Sequence, residues 1–306
     1  MIQSDKIALK DIVDFLGHEI IQIYGNYKDY WIDNVASPDK VNKHTLDWIN
    51  VIRTDKQAIA DNSPAQCILV DKEVVYSEIL QKKQKVLIVV DNPKLVLAKI
   101  GHHFFSKKKK VSIHPTAIIC SKVKLGKNVS IGAYSVIGNA IIGDYTQIDS
   151  NVHIYDDTIV GNHCNIKSGV VLGGEGFGYE KDEKGNLFQF PQIGKLIIGN
   201  YVDIGSNTCI DRGSLSDTVI GDYTKINNLV HIAHNNKIGQ NVVITAHVNI
   251  SGSNIIEDYV WISPNASIKG WIKIGEGAVI GMSAVVLKDI PAGETWVGNP
   301  AKKLER

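Results

Sequence analysis

The chain has 306 residues, and 44% of them are apolar, which is enough for an extensive core and roughly two or three domains. Its 33 Lys and Arg nearly balance its 32 Asp and Glu, so no overall charge points to nucleic acid or to a membrane surface as the main partner. The four cysteines lie far apart without a C-x-x-C motif, which favours a reduced, cytoplasmic protein.

The opening stretch, MIQSDKIALKDIVDFLG, is interrupted by charged residues, so we predict an amphipathic helix there rather than a signal peptide. Ser4 or Asp5 would begin this helix and Gly17 would end it. Two short buried strands (QCILV and KVLIVV) and a second helix (NPKLVLAKIGHHFF) follow. This alternation predicts an N-terminal α/β domain over residues 1–105. No run of about 18 apolar residues occurs, so no membrane span is expected.

A basic linker is predicted at residues 106–112, which include the run SKKKK. The simpler interpretation of such a run is a solvated connector. The alternative is a docking site for an acidic carrier protein.

From residue 113 to residue 287 an aliphatic residue recurs at every sixth position. One series runs from Ile113 to Ile154 with a slip of one residue after Ile137, and another runs unbroken from Ile220 to Val286. A period of six fits neither a helix nor an alternating strand, but it is typical of hexapeptide repeats in parallel β-helices. We therefore predict a mainly β fold whose coils have three sides, so that residues 18 apart stack along the axis.

Two segments interrupt this period. Residues 173–195, GGEGFGYEKDEKGNLFQFPQIGK, are long enough to form an excursion from the coil, and loops of this length are usually functional or disordered. Residues 211–218, DRGSLSDT, form a shorter insertion. Residues 288–306 are expected to leave the coil as a C-terminal tail.

Two histidines, His231 and His234, lie on either side of Ile232. Because Ile232 has an interior position, both histidine side chains are expected to point outward. A histidine titrates near pH ~6.5 and is suited to take a proton from an attacking amine, so His234 is a candidate general base. The plainer interpretation is that these histidines pair with neighbouring asparagines. A metal site with His247 would lack a further ligand, so we predict no metal.

Gly252 follows His234 by 18 residues, which places it one coil further on the same side. Its backbone N–H is a candidate donor to the oxyanion of a tetrahedral intermediate. The plainer interpretation is that glycine suits a corner of the coil.

The motifs GEGFGY, PQIG, IDRG, DTVIG and IAHN resemble, in this order, the UDP-3-O-acyl-glucosamine N-acyltransferases of lipid A biosynthesis. NVASPDKVNKHTLDWIN and DNPKLVLAKIGHHFF are similar to the nucleotide-binding domain of that family. The resemblance implies a left-handed β-helix and a homotrimer with acyl-donor clefts between subunits. It also implies that His234 is the catalytic base and Gly252 the oxyanion glycine. No bound cofactor is implied, because the acyl donor is a co-substrate.

The sequence departs from that family at several places. Asn227 stands where the family has an acidic residue, and Trp271 stands where it has a second histidine. Trp48 matches one member of the aromatic pair that brackets uracil, but Thr54 takes the place of the other. The tail, KDIPAGETWVGNPAKKL, is instead similar to CoA-dependent sugar acetyltransferases, so we do not expect the helical extension associated with carrier-protein docking.

We therefore expect transfer of an acyl group from acyl-CoA to the amine of a nucleotide-linked amino sugar, for the biosynthesis of cell-surface polysaccharide such as O-antigen or of lipopolysaccharide. The first alternative is UDP-3-O-acyl-glucosamine N-acyltransferase activity that uses acyl carrier protein. The second alternative is a non-catalytic solenoid that binds carbohydrate or serves as a scaffold.

A set of residues is expected to bind the substrates. Trp48 would stack on the nucleobase, with core packing as the alternative. The aromatic residues of the loop 173–195 would form apolar walls around the sugar or the acyl chain. The complete predicted set is Trp48, Phe177, Tyr179, Phe190, His231 and Asn235.

Overall fold

The chain forms two compact units in a computed structural model that describes residues 6–106 and 111–305. The boundary between the units falls at residues 109 and 110. The four lysines of the predicted linker lie outside the described residues, and so do Ser4 and Asp5.

The described residues of the N-terminal unit form a four-stranded sheet and four short α-helices. Its elements are β1 (Ile7–Ala8), α1 (Leu9–Leu16), β2 (Ile20–Tyr24), β3 (Trp31–Ile32), β4 (Leu46–Trp48), α2 (Lys56–Asn62), β5 (Cys67–Val70), α3 (Glu78–Lys82), β6 (Val86–Val90) and α4 (Pro93–Ile100), with a π-helical turn at Gly101–Phe105. The sheet has the order β2-β6-β5-β4, in which β4, β5 and β6 are parallel and β2 is antiparallel. A separate antiparallel pair joins β1 to β3.

The predicted strands and the second predicted helix of this unit are confirmed, as β5, β6 and α4. The start of the first helix was predicted too early. Helix α1 begins at Leu9, because the residues before it pair with β3 as an extended strand. Helices α2 and α3 were not predicted, because elements of seven and five residues are too short to show a helical period. No helix among the described residues is long and apolar enough to cross a membrane.

The C-terminal unit is a β-solenoid with three main sheets. The first sheet contains Ile118–Ile119, Val136–Ile137, His153–Ile154, Val171–Gly174, Cys209–Asp211, His231–Ile232, Asn249–Ile250, Ser267–Ile268 and Val285–Val286. The second contains Lys124–Leu125, Ile141–Ile142, Thr158–Val160, Leu196–Ile198, Thr218–Ile220, Lys237–Ile238, Ile255–Ile256 and Lys273–Ile274. The third contains Ser130–Ile131, Gln147–Ile148, Asn165–Ile166, Asp203–Ile204, Lys225–Ile226, Val243–Ile244, Trp261–Ile262, Val279–Ile280, Thr295–Val297 and Lys302–Lys303.

The strand register confirms the three-sided coil. Ile232 pairs in parallel with Ile250, and Ile250 pairs in parallel with Ile268, which are steps of 18 residues. All three side chains are fully buried in one continuous core. The chain turns at a corner after each interior residue, so each strand is short and most strands carry one large aliphatic side chain inside the coil.

The chain departs from the coil within the segment 173–195, for which an excursion is predicted. The chain leaves the first sheet after Val171–Gly174 and forms an antiparallel hairpin of Tyr179–Lys181 and Leu187–Gln189. It returns to the coil at Leu196–Ile198. The second insertion lies between the strands that end at Asp211 and begin at Thr218.

The prediction that residues 288–306 leave the coil is wrong for most of that segment. Ile290 bridges in parallel to Ile274, and Thr295–Val297 pairs in parallel with Val279–Ile280. Ile290 and Trp296 are buried in the solenoid core. The interior positions therefore continue beyond Val286, after one shortened side that breaks the count of six.

Adjacent isoleucines in one strand give a matched test of this core. Ile256 is 1% exposed, whereas its neighbour Ile255 is 50% exposed. We expect Ile256→Ala to lower the free energy of unfolding by about 2–5 kcal/mol, because the lost side chain leaves a cavity. Ile255→Ala is expected to change it by less than about 0.5 kcal/mol. Denaturant unfolding of both variants measures the difference, and equal losses would contradict the assigned interior.

Candidate active site

His234 lies at a corner of the solenoid, two residues after the interior residue Ile232. Its side chain is half-buried. Asn236 fixes this corner from inside the coil, because its Nδ2 donates to Ala233 O at 2.6 Å and to Ser251 O of the next coil at 3.1 Å. The backbone that carries the imidazole is therefore tied to the coil that follows.

Gly252 lies against the imidazole of His234. A Cβ at residue 252 would be 2.7 Å from His234 Cε1 and 3.0 Å from His234 Nε2, so any side chain would collide with the ring. The next residue anchors the two coils together, since Ser253 N–H donates to His234 O at 3.0 Å. The 18-residue spacing thus places the backbone of Gly252 next to the imidazole of His234.

The backbone N–H of Gly252 lacks the side-chain cap that several other corners of the solenoid have. At those corners the N–H donates to Asp or Asn Oδ1 one coil on, as from Lys127 to Asp144 at 2.7 Å and from Gln240 to Asp258 at 2.9 Å. One coil on from Gly252 the residue is Gly270, which has no side chain to offer. Within residues 6–106 and 111–305, the Gly252 N–H donates no hydrogen bond. An open N–H beside an imidazole suits the stabilisation of an oxyanion.

Asn235 connects His234 to the insertion 211–218. Its Oδ1 accepts hydrogen bonds from the Ser214 N–H at 2.7 Å and from the Ser214 hydroxyl at 2.9 Å. Because a backbone N–H can only donate, the amide atom that faces it is the oxygen. His234 Nδ1 lies 3.3 Å from this oxygen, and a hydrogen bond there places the proton on Nδ1. The lone pair is then on Nε2, beside Gly252.

His231 lies on the strand before this corner, near the carboxyl group of Asp211. The distance from His231 Nε2 to Asp211 Oδ2 is 3.9 Å. Burial raises the pKa of Asp211 to about 7, and partial burial lowers the pKa of His231, whose side chain is still 48% exposed. Both shifts favour the neutral forms, so the pair is a weak ion pair near neutral pH. Asp211 belongs to the IDRG motif but was not among the predicted site residues.

The excursion folds back against His234. A Cβ at Gly176 would lie 2.9 Å from His234 Cδ2 and 3.0 Å from Gln192 Oε1, so the loop backbone contacts both groups. Gln192 was not predicted as a site residue. Its position in the PQIG motif was the available signal, because that motif contributed to the family resemblance.

The aromatic residues predicted as walls lie on or beside the hairpin and are exposed. Phe177 is 85% exposed and contacts Tyr179 edge to face, with 5.0 Å between the ring centroids. Phe190, Leu187 and Phe188 are exposed as well. Within the described part of the C-terminal unit, these side chains form an open apolar surface rather than the walls of a closed pocket.

Trp48 belongs to the N-terminal unit, where it lines a cavity of about 720 Å³. Asn50, Arg53 and Ser63 line the same cavity. The Trp48 ring is half-buried and packs against the hydrophobic core of the unit, so core packing holds one part of it while another part borders the cavity. A cavity of this size with an aromatic ring and polar side chains suits a nucleobase-sized ligand.

Of two departures from the family pattern, Asn227 lies seven residues before His234 and Trp271 lies two coils further along the axis. The Trp271 N–H donates to Gly252 O at 3.2 Å, and its indole ring is exposed. Asn227 Oδ1 accepts from the Asn228 N–H at 2.7 Å. Neither residue supplies a group that titrates near neutral pH, so neither shares the role of a base with His234.

Cysteine chemistry does not fit the site. Burial raises the pKa of the Cys209 thiol, and burial likewise raises that of Cys164. A protonated thiol is a poor nucleophile, so the arrangement favours direct acyl transfer over a cysteine-bound intermediate. Among the described residues, no group of three or more His, Cys, Asp or Glu is arranged to hold a metal ion.

Known proteins are similar to this chain in sequence and in fold. The family described as bacterial transferase hexapeptide (six repeats) matches residues 139–174 and 255–288. UDP-3-O-acylglucosamine N-acyltransferase 1 of Francisella tularensis subsp. holarctica is 41% identical over 291 residues, which cover 88% of this chain and 82% of that protein. UDP-3-O-acylglucosamine N-acyltransferase of Caulobacter sp. is 44% identical over 148 residues, which cover 48% of this chain and 43% of that protein.

A solved structure is similar to part of this chain. It is UDP-N-acetylglucosamine O-acyltransferase from Moraxella catarrhalis, which superposes with a TM-score of 0.57 at 30% sequence identity. The match covers 63% of this chain and 73% of the other. This chain is thus similar to the Francisella protein over most of both lengths, whereas it matches less than half of the Caulobacter protein.

Proposed function

We propose, since this chain belongs to the family of UDP-3-O-acylglucosamine N-acyltransferases, that it transfers an acyl group from a thioester to the amine of UDP-3-O-acylglucosamine. The observation that carries this proposal is the open N–H of Gly252 against the imidazole of His234. The sequence first suggested a different nucleotide-linked amino sugar, but the names of the relatives favour the alternative acceptor. Those names also favour an enzyme over a non-catalytic scaffold.

His234 is the general base of this reaction. Its Nε2 takes a proton from the amine while the amine nitrogen attacks the carbonyl carbon of the thioester. Asn235 Oδ1 supports this role, because it accepts a hydrogen bond from Nδ1 and so keeps the lone pair on Nε2. Ser214 holds that oxygen in place through two hydrogen bonds.

Gly252 stabilises the tetrahedral intermediate. As the new C–N bond forms, negative charge develops on the former carbonyl oxygen, and the free Gly252 N–H donates a hydrogen bond to it. The C–S bond then breaks, and the proton held by His234 passes to the departing thiolate. The products are an amide and a free thiol, with no proton gained or lost.

Apolar surface near this corner supports a fatty acyl substrate. The hairpin of the excursion carries exposed aromatic and aliphatic side chains, and its loop backbone contacts His234. An exposed apolar patch beside a polar centre is typical of a binding surface for an apolar group. The cavity that Trp48 lines is the proposed site for the uracil base.

The proposed donor is acyl-CoA, because the segment VGNPAK resembles CoA-dependent sugar acetyltransferases. We expect a higher kcat/KM with acyl-CoA than with acyl carrier protein when both carry the same acyl group and UDP-3-O-acylglucosamine is the acceptor. A carrier protein that wins by more than about tenfold, or ~1.4 kcal/mol, would overturn the proposed donor. Replacing the lysines at 107–110 would then test the docking alternative. No amide product with either donor would contradict the proposed function itself.

The handedness of the coil, the assembly and the location of the protein stay predictions. The left-handed coil and the homotrimer with clefts between subunits come from the family resemblance, and the cytoplasmic location comes from the widely separated cysteines. Light scattering tests the trimer, and a monomeric mass independent of concentration would contradict it.

A further inference from the structure

The amide group of Gln192 is buried beside the proposed base and is only half satisfied. The residue is 7% exposed, and its Nε2 donates to Phe190 O at 3.1 Å. Its Oε1 is buried, and among the described residues no donor reaches it. A buried amide oxygen usually has a partner, so this atom calls for a donor that arrives from elsewhere.

The orientation of the Gln192 amide follows from its partner. Phe190 O can only accept a hydrogen bond, so the nitrogen must face it and the oxygen must face the other way. That oxygen borders Gly176, because a Cβ there would lie 3.0 Å from Gln192 Oε1 and 2.9 Å from His234 Cδ2. The unpartnered acceptor and the imidazole therefore line the same narrow space.

The nucleophile of the proposed reaction has a use for such an acceptor. An amine attacks with its lone pair and carries two N–H groups at that moment. One proton goes to His234, and the other N–H stays on the nitrogen, which becomes partly positive. A hydrogen bond from this N–H to an amide oxygen strengthens as the charge develops.

We propose that Gln192 Oε1 accepts the second N–H of the attacking amine and thereby selects an amine over a hydroxyl as the acyl acceptor. A hydroxyl nucleophile has one proton, which His234 takes, so its oxygen would face Gln192 Oε1 with lone pairs only. Two acceptors placed against each other are unfavourable, and a site built for a hydrogen bond discriminates strongly against a ligand without the donor. This inference rests on the proposed function.

The test compares two acceptors that differ in one group. They are UDP-3-O-acylglucosamine and the matched nucleotide sugar with a hydroxyl in place of the amine. For Gln192→Met, which keeps the length of the side chain, we expect kcat/KM with the amine to fall by about 10- to 100-fold, the worth of a hydrogen bond to a charged group. The slow rate with the hydroxyl acceptor is expected to stay the same or to rise.

The control variant is Gln147→Met, on a strand of the third sheet outside the excursion and the corner of His234. It is expected to leave both rates unchanged. If Gln192→Met lowers the two rates by the same factor, or lowers neither, Gln192 only anchors the loop and the inference is wrong.

Gln192→Glu provides a second variant in case the methionine variant does not fold. Its carboxylate keeps an acceptor for the amine, so we expect the preference for the amine to persist, and a lost preference would overturn the inference. A different result would contradict the proposed function itself, namely that the unmodified protein acylates neither acceptor.

Discussion

Replacing His234 by alanine is expected to lower kcat by roughly 10²–10⁴, the usual contribution of a positioned general base. The alanine variant keeps the acceptor amine and the donor thioester but has no group beside Gly252 that can take the proton. KM for the nucleotide sugar is expected to change far less, because its nucleobase is proposed to bind in the cavity that Trp48 lines. Steady-state kinetics with a thiol-release readout measures both parameters.

The matched control is His231→Ala, three residues earlier on the same coil. His231 is more exposed, and its nearest charged neighbour is the Asp211 carboxyl at 3.9 Å. Its replacement is expected to cost far less activity than that of His234. Equal losses at the two positions would contradict the role assigned to His234. Thermal unfolding of both variants shows whether either substitution acts through the fold, and we expect little change because neither side chain belongs to the core.

The sequence predicted those parts of the fold that obey the period of six. Ile232 and Ile250 stack as expected because interior positions repeat every three sides, and the same spacing brings Gly252 to His234. The end of the coil was missed, because one side between Val286 and Ile290 is shortened and the count fails although the interior continues. A period detects regular coils, but it does not detect a coil with a deletion.

The rest of the candidate site comes from segments that have no period. Gln192 approaches His234 only because the excursion 173–195 leaves the coil and folds back, and no spacing rule fixes such a return. Ser214, which holds Asn235, belongs to the other insertion. Both insertions were found as interruptions, but their contacts depend on tertiary packing that the local pattern does not encode.

Replacing Gly252 by alanine is expected to lower kcat by about 10²–10³, which is the typical cost of losing one oxyanion donor. The added Cβ would lie 2.7 Å from His234 Cε1 and 3.0 Å from His234 Nε2, so either the ring or the backbone corner must move. Either movement separates the base from the open N–H. The loss is therefore expected even though the N–H itself is still present in the variant.

Ser253→Ala is the matched control for this substitution, because it shortens the side chain of the next residue at the same corner. Ser253 has a φ of 65°, its N–H donates to His234 O, and alanine keeps that N–H. We expect its kcat to stay within about threefold of the original value, since no oxyanion donor is lost. If Gly252→Ala retains full activity, the imidazole and the N–H of residue 252 do not act on the same carbonyl group. If both variants lose activity equally, the corner matters only as a piece of the fold, and the donor to the oxyanion must come from another residue.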